Sequence, residues 1–103
     1  MDECVLIAEI FKALSHPTRL KILKLLCDKP RNVIEIADEL GLTQSNVSQH
    51  LKTLENSGII LKTKDANVVN CEIKHESIIK LFNDAKNIIH KELNEAHKIL
   101  KNS

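Results

Sequence analysis

The sequence predicts a mainly α-helical fold carrying one small β-hairpin. Three observations predict it. Apolar side chains recur every three or four residues along most of the chain, the period of a helix with one buried face. The stretch 59–73 is instead β-branched, partly alternating and interrupted by turn chemistry. Both glycines, Gly41 and Gly58, stand where a helical pattern stops. The length, 103 residues, suits one domain (1–103) with a modest core.

Composition narrows the function classes. Hydrophobic residues make up 43%, so the chain is expected to fold, and Phe11 and Phe82 are its only aromatics, so the core is aliphatic. Without Trp or Tyr, unpaired bases find almost nothing to stack on, which argues against single-stranded nucleic acid. Net charge is +1, but residues 15–64 hold eight bases and five acids, while 1–14 hold one base and three acids and 65–103 six of each. The cationic surplus therefore lies in the middle of the chain. No apolar run reaches transmembrane length and no signal peptide is visible, so a cytoplasmic protein without a membrane partner is expected. Cys4, Cys27 and Cys71 are odd in number and lack CxxC or CxC spacing, which disfavours a disulfide scaffold. No nucleophile, base and acid stand at a recognisable spacing and no glycine-rich phosphate loop occurs, so an enzyme is not expected.

The first helix, Val5 to Leu14, is apolar almost all round, which suggests that it is sandwiched between its own domain and a second subunit. Pro17 suits the first turn of the second helix, where its missing amide costs nothing. His16 is expected to make a local or intersubunit hydrogen bond there. Arg19, a cation in a first turn, needs an offsetting partner, a buried carboxylate ahead of a DNA phosphate. Asp28 to Arg31 break the helix. Asn32 and Glu35 then fit a capping box for a short third helix with Val33, Ile36, Ala37 and Leu40 on its apolar side.

Gly41 and Leu42 supply a tight turn, and Thr43 can cap a fourth helix by accepting an orphan amide hydrogen bond. Val47, Leu51 and Leu54 share its buried face. Its other face carries Gln44, Ser45, Ser48, Gln49 and Lys52, with no acid before Glu55. Planar or short hydrogen-bonding groups and a cation are what base edges and phosphates of a major groove require. Residues 33–56 thus read as a helix-turn-helix. The hairpin at about 59–73 follows as a wing, with Asp65 to Asn67 as its turn. Lys62 and Lys64 have two readings, phosphate contacts or solvated charges that keep an edge strand from pairing. From about 76 to 101 a long helix carries an apolar stripe of Ile78, Phe82, Ala85, Ile89, Leu93, Ala96 and Leu100. Its length suggests pairing with a twin and with the partner's first helix, through residues such as Leu6 and Ile10. A two-fold dimer would read an inverted repeat in double-stranded operator DNA.

The segments Phe11 to Leu23, Ile36 to Leu40, Leu42 to Leu54 and Gly58 to Ile60 resemble the ArsR/SmtB family of winged helix-turn-helix repressors. The His16-Pro17-Thr18-Arg19 start and the Gln44-Ser45-Asn46-Val47-Ser48-Gln49-His50-Leu51 helix carry the resemblance, which spans essentially the whole chain. It implies a homodimer joined through first and last helices, operator binding, and release of DNA by an inducer. On this chain it implies Gln44, Ser45, Ser48 and Gln49 as base readers, with His50 and Lys52 as phosphate or packing contacts. For His50 the alternative is a ring filling the gap between the fourth helix and the wing. A winged-helix module that binds protein instead of DNA is the competing class.

The inducer stays open. The family's Cys-x-Cys pattern in the third helix is absent, since that region reads Asn32-Val33-Ile34. The zinc-type pattern of the last helix is not matched either: its start reads His75-Glu76-Ser77, and His90 and His97 lie seven residues apart, about two turns. The positions of the family's sensing dithiol look like Lys24 and His90. Cys4, Cys27, Cys71, His90 and His97 remain weak candidates for a metal or metalloid ion held across a dimer, and no cofactor is firmly expected.

Overall fold

The computed structural model describes residues 2–102. In order come α1 (Glu3–Leu14), α2 (Pro17–Asp28), β1 (Arg31–Asn32), α3 (Val33–Leu40), α4 (Gln44–Asn56), β2 (Ile60–Asp65), β3 (Val68–Ile73) and α5 (Glu76–Lys101). The helices begin and end where local chemistry sets them. Asn32 Oδ1 accepts from the Glu35 N–H at 2.8 Å, and Glu35 Oε1 accepts from the Asn32 N–H at 3.1 Å, completing the capping box. Thr43 Oγ1 accepts from the Asn46 N–H at 3.0 Å. The two glycines sit at φ of +64° and +74°. After each, the next amide reaches back to the helix: Leu42 N–H to the Ala37 carbonyl at 2.9 Å, and Ile59 N–H to the Leu54 carbonyl at 3.0 Å. A Cβ at either site would meet no atom within 4 Å, so the left-handed backbone, not crowding, is what favours glycine there.

The hairpin pairs β2 with β3 in antiparallel register, Ile60 opposite Ile73 through Asp65 opposite Val68. Ala66 and Asn67 alone close it, with Ala66 at φ +55°. The strand β1 was not anticipated. It places Arg31 opposite Cys71 and Asn32 opposite Asn70, so the sheet runs β1-β3-β2. The physical reason is local: the cap residue Asn32 must be extended to open α3 (φ −88°, ψ 168°), and Lys29 before Pro30 is extended too. That extended entry meets the free edge of β3.

The core draws on every helix and the hairpin, through Ala13, Ile22, Leu23, Leu26, Ile36, Ala37, Val47, Leu51, Leu54, Ile59, Ile60, Cys71 and Ile78. Beyond Phe82, every described residue of α5 is exposed. Val5, Leu6, Ile7 and Phe11 on α1, and Ile88, Ile89, Leu93, Ile99 and Leu100 on α5, form an uncovered apolar surface. Among the described residues no helix is long and apolar enough to cross a membrane.

One expectation for α2 needs correction. Among the described residues Arg19 pairs with no carboxylate. Its Nε donates to the Ala13 carbonyl at 2.5 Å and its Nη2 to the Lys12 carbonyl at 3.4 Å. These are orphan acceptors at the C-terminus of α1, where the helix dipole is negative, so they offset the guanidinium as an acid would. The His50 ring lies against His16 at the start of α2, with centroids 4.7 Å apart.

Candidate nucleic-acid interface

Three buried side chains aim α4. Val47, Leu51 and Leu54 are 0% exposed, and they fix which face of the helix turns outward. Gln44, Ser45, Ser48, Gln49 and Lys52 are all exposed on the other side. Among the described residues none of these five side chains takes part in a hydrogen bond or ion pair. Their donors and acceptors are free for an external partner, and no exposed large apolar residue lies on α4. The one acid toward its end, Glu55, is paired with Lys62 at 3.3 Å.

The wing flanks this face. A groove of about 150 Å³ runs between α4 and the hairpin turn, bordered by Ile34, Gln44, Ser48, Asn67 and Val68. Asn67 and Val68 were not anticipated there; Asp65 to Asn67 showed only turn chemistry. The two wing lysines differ in position. Lys62 is half-buried opposite Cys71 and held back on Glu55, while Lys64 is exposed opposite Val69. His50 is half-buried, and its imidazole is held below its ordinary pKa by burial, then by His16 and Arg19.

Arg31 supports the turn into α3. It is ion-paired with Asp28 of α2 at 3.2 Å and with Glu39 of α3, and its side chain is 9% exposed. One cation thereby ties the end of α2 to the helix that precedes α4. The sequence offered no signal for this beyond a charge beside Pro30.

The residues expected at a dimer contact separate into two groups. Leu6, Ala85, Ile89, Leu93 and Ala96 are exposed. Ile78 belongs to the core, and Ile10 and Phe82 pack half-buried against it. Phe11, Leu14, Leu20, Ile78, Phe82 and Ile89 line an apolar cleft of about 340 Å³ between α1, α2 and α5.

The thiols and the late histidines do not converge. Cys4 is exposed on α1, Cys27 half-buried on α2 and Cys71 buried on β3. Burial raises the Cys27 pKa, with the Lys86 ammonium opposing. Burial pushes the Cys71 thiol up to about 11, with Lys62 opposing and Glu55 adding to the rise. His90 and His97 are both exposed on the second half of α5. Among the described residues no three His, Cys, Asp or Glu side chains are grouped to hold a metal ion.

Comparison with known proteins agrees with this geometry. Residues 16–62 match the family model described as bacterial regulatory protein, arsR family. The chain is 34% identical over 94 residues to Rv0081 of Mycobacterium tuberculosis, described as an uncharacterized HTH-type transcriptional regulator, covering 90% of this chain and 82% of the relative. It is 41% identical over 83 residues to the HTH-type regulator MJ1325 of Methanocaldococcus jannaschii, covering 75% and 91%. The crystal structure of Rv0081 superposes with a TM-score of 0.84 at 33% identity over 93% of this chain and 98% of that one. A homodimeric winged helix-turn-helix DNA-binding domain from Mycobacterium bovis, Mb0332, gives 0.83 at 26% identity over 89% and 85%. An outward polar α4, a wing beside it and these relatives together place the chain in the ArsR family of winged helix-turn-helix transcriptional regulators, which bind DNA and are not enzymes.

Proposed function

We propose that the chain acts as a homodimer that reads an inverted repeat in double-stranded operator DNA and represses transcription until an inducer releases it. One observation carries this reading: the five polar side chains on the outer face of α4 are exposed and unpaired, while three buried aliphatics hold the helix in place. Gln44, Ser45, Ser48 and Gln49 read base edges in the major groove, Lys52 and Lys64 lie against phosphates, and His50 packs behind them against His16. Lys62 joins them once Glu55 gives it up. The uncovered apolar faces of α1 and α5 supply the dimer contact, and a two-fold axis through them sets two α4 helices for successive half-sites. A protein-docking helix would present apolar anchors, and the exposed apolar residues of this chain lie elsewhere.

The test uses a duplex that the protein selects from a random DNA pool. Gln44→Ala is expected to weaken binding of that duplex by about tenfold, which corresponds to about 1.4 kcal/mol of lost base contact, with dimerisation unchanged. Binding is expected to fall steeply with salt. Unchanged affinity in the variant refutes Gln44 as a reader. A screen of zinc, arsenite and peroxide for release of the duplex, with Cys-to-Ser variants alongside, identifies the inducer class.

A further inference from the structure

The contact between His16 and His50 joins two elements distant in the chain, the start of α2 and the middle of α4. The ring centroids are 4.7 Å apart and the planes are inclined at 51°. His16 caps α2: its Nδ1 accepts the Thr18 N–H at 3.1 Å, so that nitrogen carries a lone pair and no proton. Arg19 follows one turn later, and the carbonyls at the end of α1 hold it in place. The titratable groups acting on His50 are His16 and Arg19. The neighbouring cleft, where α1 and α2 meet α4, is lined by Glu9, Lys12, Arg19 and Thr53. Glu9 is the one carboxylate bordering that cleft, against two fixed cations.

We propose that the His16–His50 contact is a proton-sensitive latch that seats α4 on α2 while the His50 ring is neutral and loosens it when that ring takes a proton. A proton on His50 sets a second cation near Arg19, against the His16 ring. Among the described residues that charge meets no acid in the contact itself.

The sign follows from proton linkage. Burial, His16 and Arg19 depress the His50 pKa in the folded state. The unfolded chain therefore binds more protons over that interval. The latch is complete above the ordinary imidazole range, near about 6.5, and weakens as pH falls through it. Because α4 carries the side chains assigned to base reading, acid is expected to lower DNA affinity; this consequence rests on the proposed function. A His50 that touched a phosphate would act in the opposite sense, since the phosphate would favour its proton and acid would tighten binding.

Amide hydrogen exchange on the free protein, followed by NMR at about pH 7.5 and about pH 5.5, tests the latch without DNA. The wild type is compared with His16→Asn, which keeps a cap acceptor that does not titrate, and with His50→Gln. Corrected for intrinsic chemistry, exchange of the Val47 to Leu51 amides is expected to accelerate several-fold in acid, the direction in which His50 gains its proton. Both variants are expected to keep flat profiles, and either one alone suffices if the other does not fold. Equal protection of the wild type at both pH values overturns the latch, and so does the same acceleration in the variants. The duplex selected at about pH 7.5 is then titrated at about pH 5.5. Weaker binding by the wild type alone supports the latch, and tighter or unchanged binding overturns it. If no duplex can be selected, the DNA reading fails, and the exchange profiles still decide the latch.

Discussion

Replacing Leu51 with Ala separates the two faces of α4. Leu51 is 0% exposed and lies in the core with Val47, Leu54, Ile59 and Ile60. Truncation removes buried methyl groups and leaves a cavity, at a cost of about 2–5 kcal/mol for a site of this kind. A domain of this size holds about 5–15 kcal/mol in total, so the variant forfeits a large share of its stability. With a central loss of about 3 kcal/mol, Tm should fall by roughly 12–24 °C. For an m-value of about 1.5 kcal/mol per molar urea, the midpoint should fall by about 2 M. Both are measured by circular dichroism at one fixed protein concentration, because dimer stability depends on concentration. Gln44→Ala is the control on the opposite face. It is expected to leave Tm within the ±0.5 kcal/mol equivalent of a surface change and to weaken DNA binding alone. A Tm for Leu51→Ala within a few degrees of wild type, or a large destabilisation by Gln44→Ala, would refute the orientation of α4 on which the interface depends.

Two further outcomes follow from the caps and the thiols. Asn32→Ala removes the side-chain acceptor of the α3 capping box and frees Glu35, so a loss of about 1 kcal/mol is expected in denaturant unfolding, with the m-value unchanged. Iodoacetamide should label Cys4 first, Cys27 more slowly and Cys71 last in the native protein, because Cys4 is exposed and the other two thiols are held up in pKa by burial. Mass spectrometry of timed samples checks the order, and raising the pH toward 11 should accelerate Cys71 most.

The sequence by itself determined the helices, their ends and the polarity of α4, because those properties depend on residues within four positions of one another. The Asn32–Glu35 box, the Thr43 cap and the left-handed glycines at 41 and 58 are local chemistry, and the structure places them as the spacing implies. Val47, Leu51 and Leu54 identify the buried side, so the outer residues of α4 were legible too. What the tertiary structure alone decided are pairings across long stretches of chain. Arg31 and Asn32 join β3 about forty residues away because an obligatory extended cap meets an unpaired strand edge. Arg19 turns to backbone carbonyls of α1, an acceptor that no side-chain pattern reveals. His50 meets His16 and Lys62 meets Glu55 only once α4 is docked, and Ile78 enters the core instead of joining the stripe beyond it. Periodicity states which face of an element is apolar. Which neighbour covers that face is settled by packing, where many weak contacts are satisfied together.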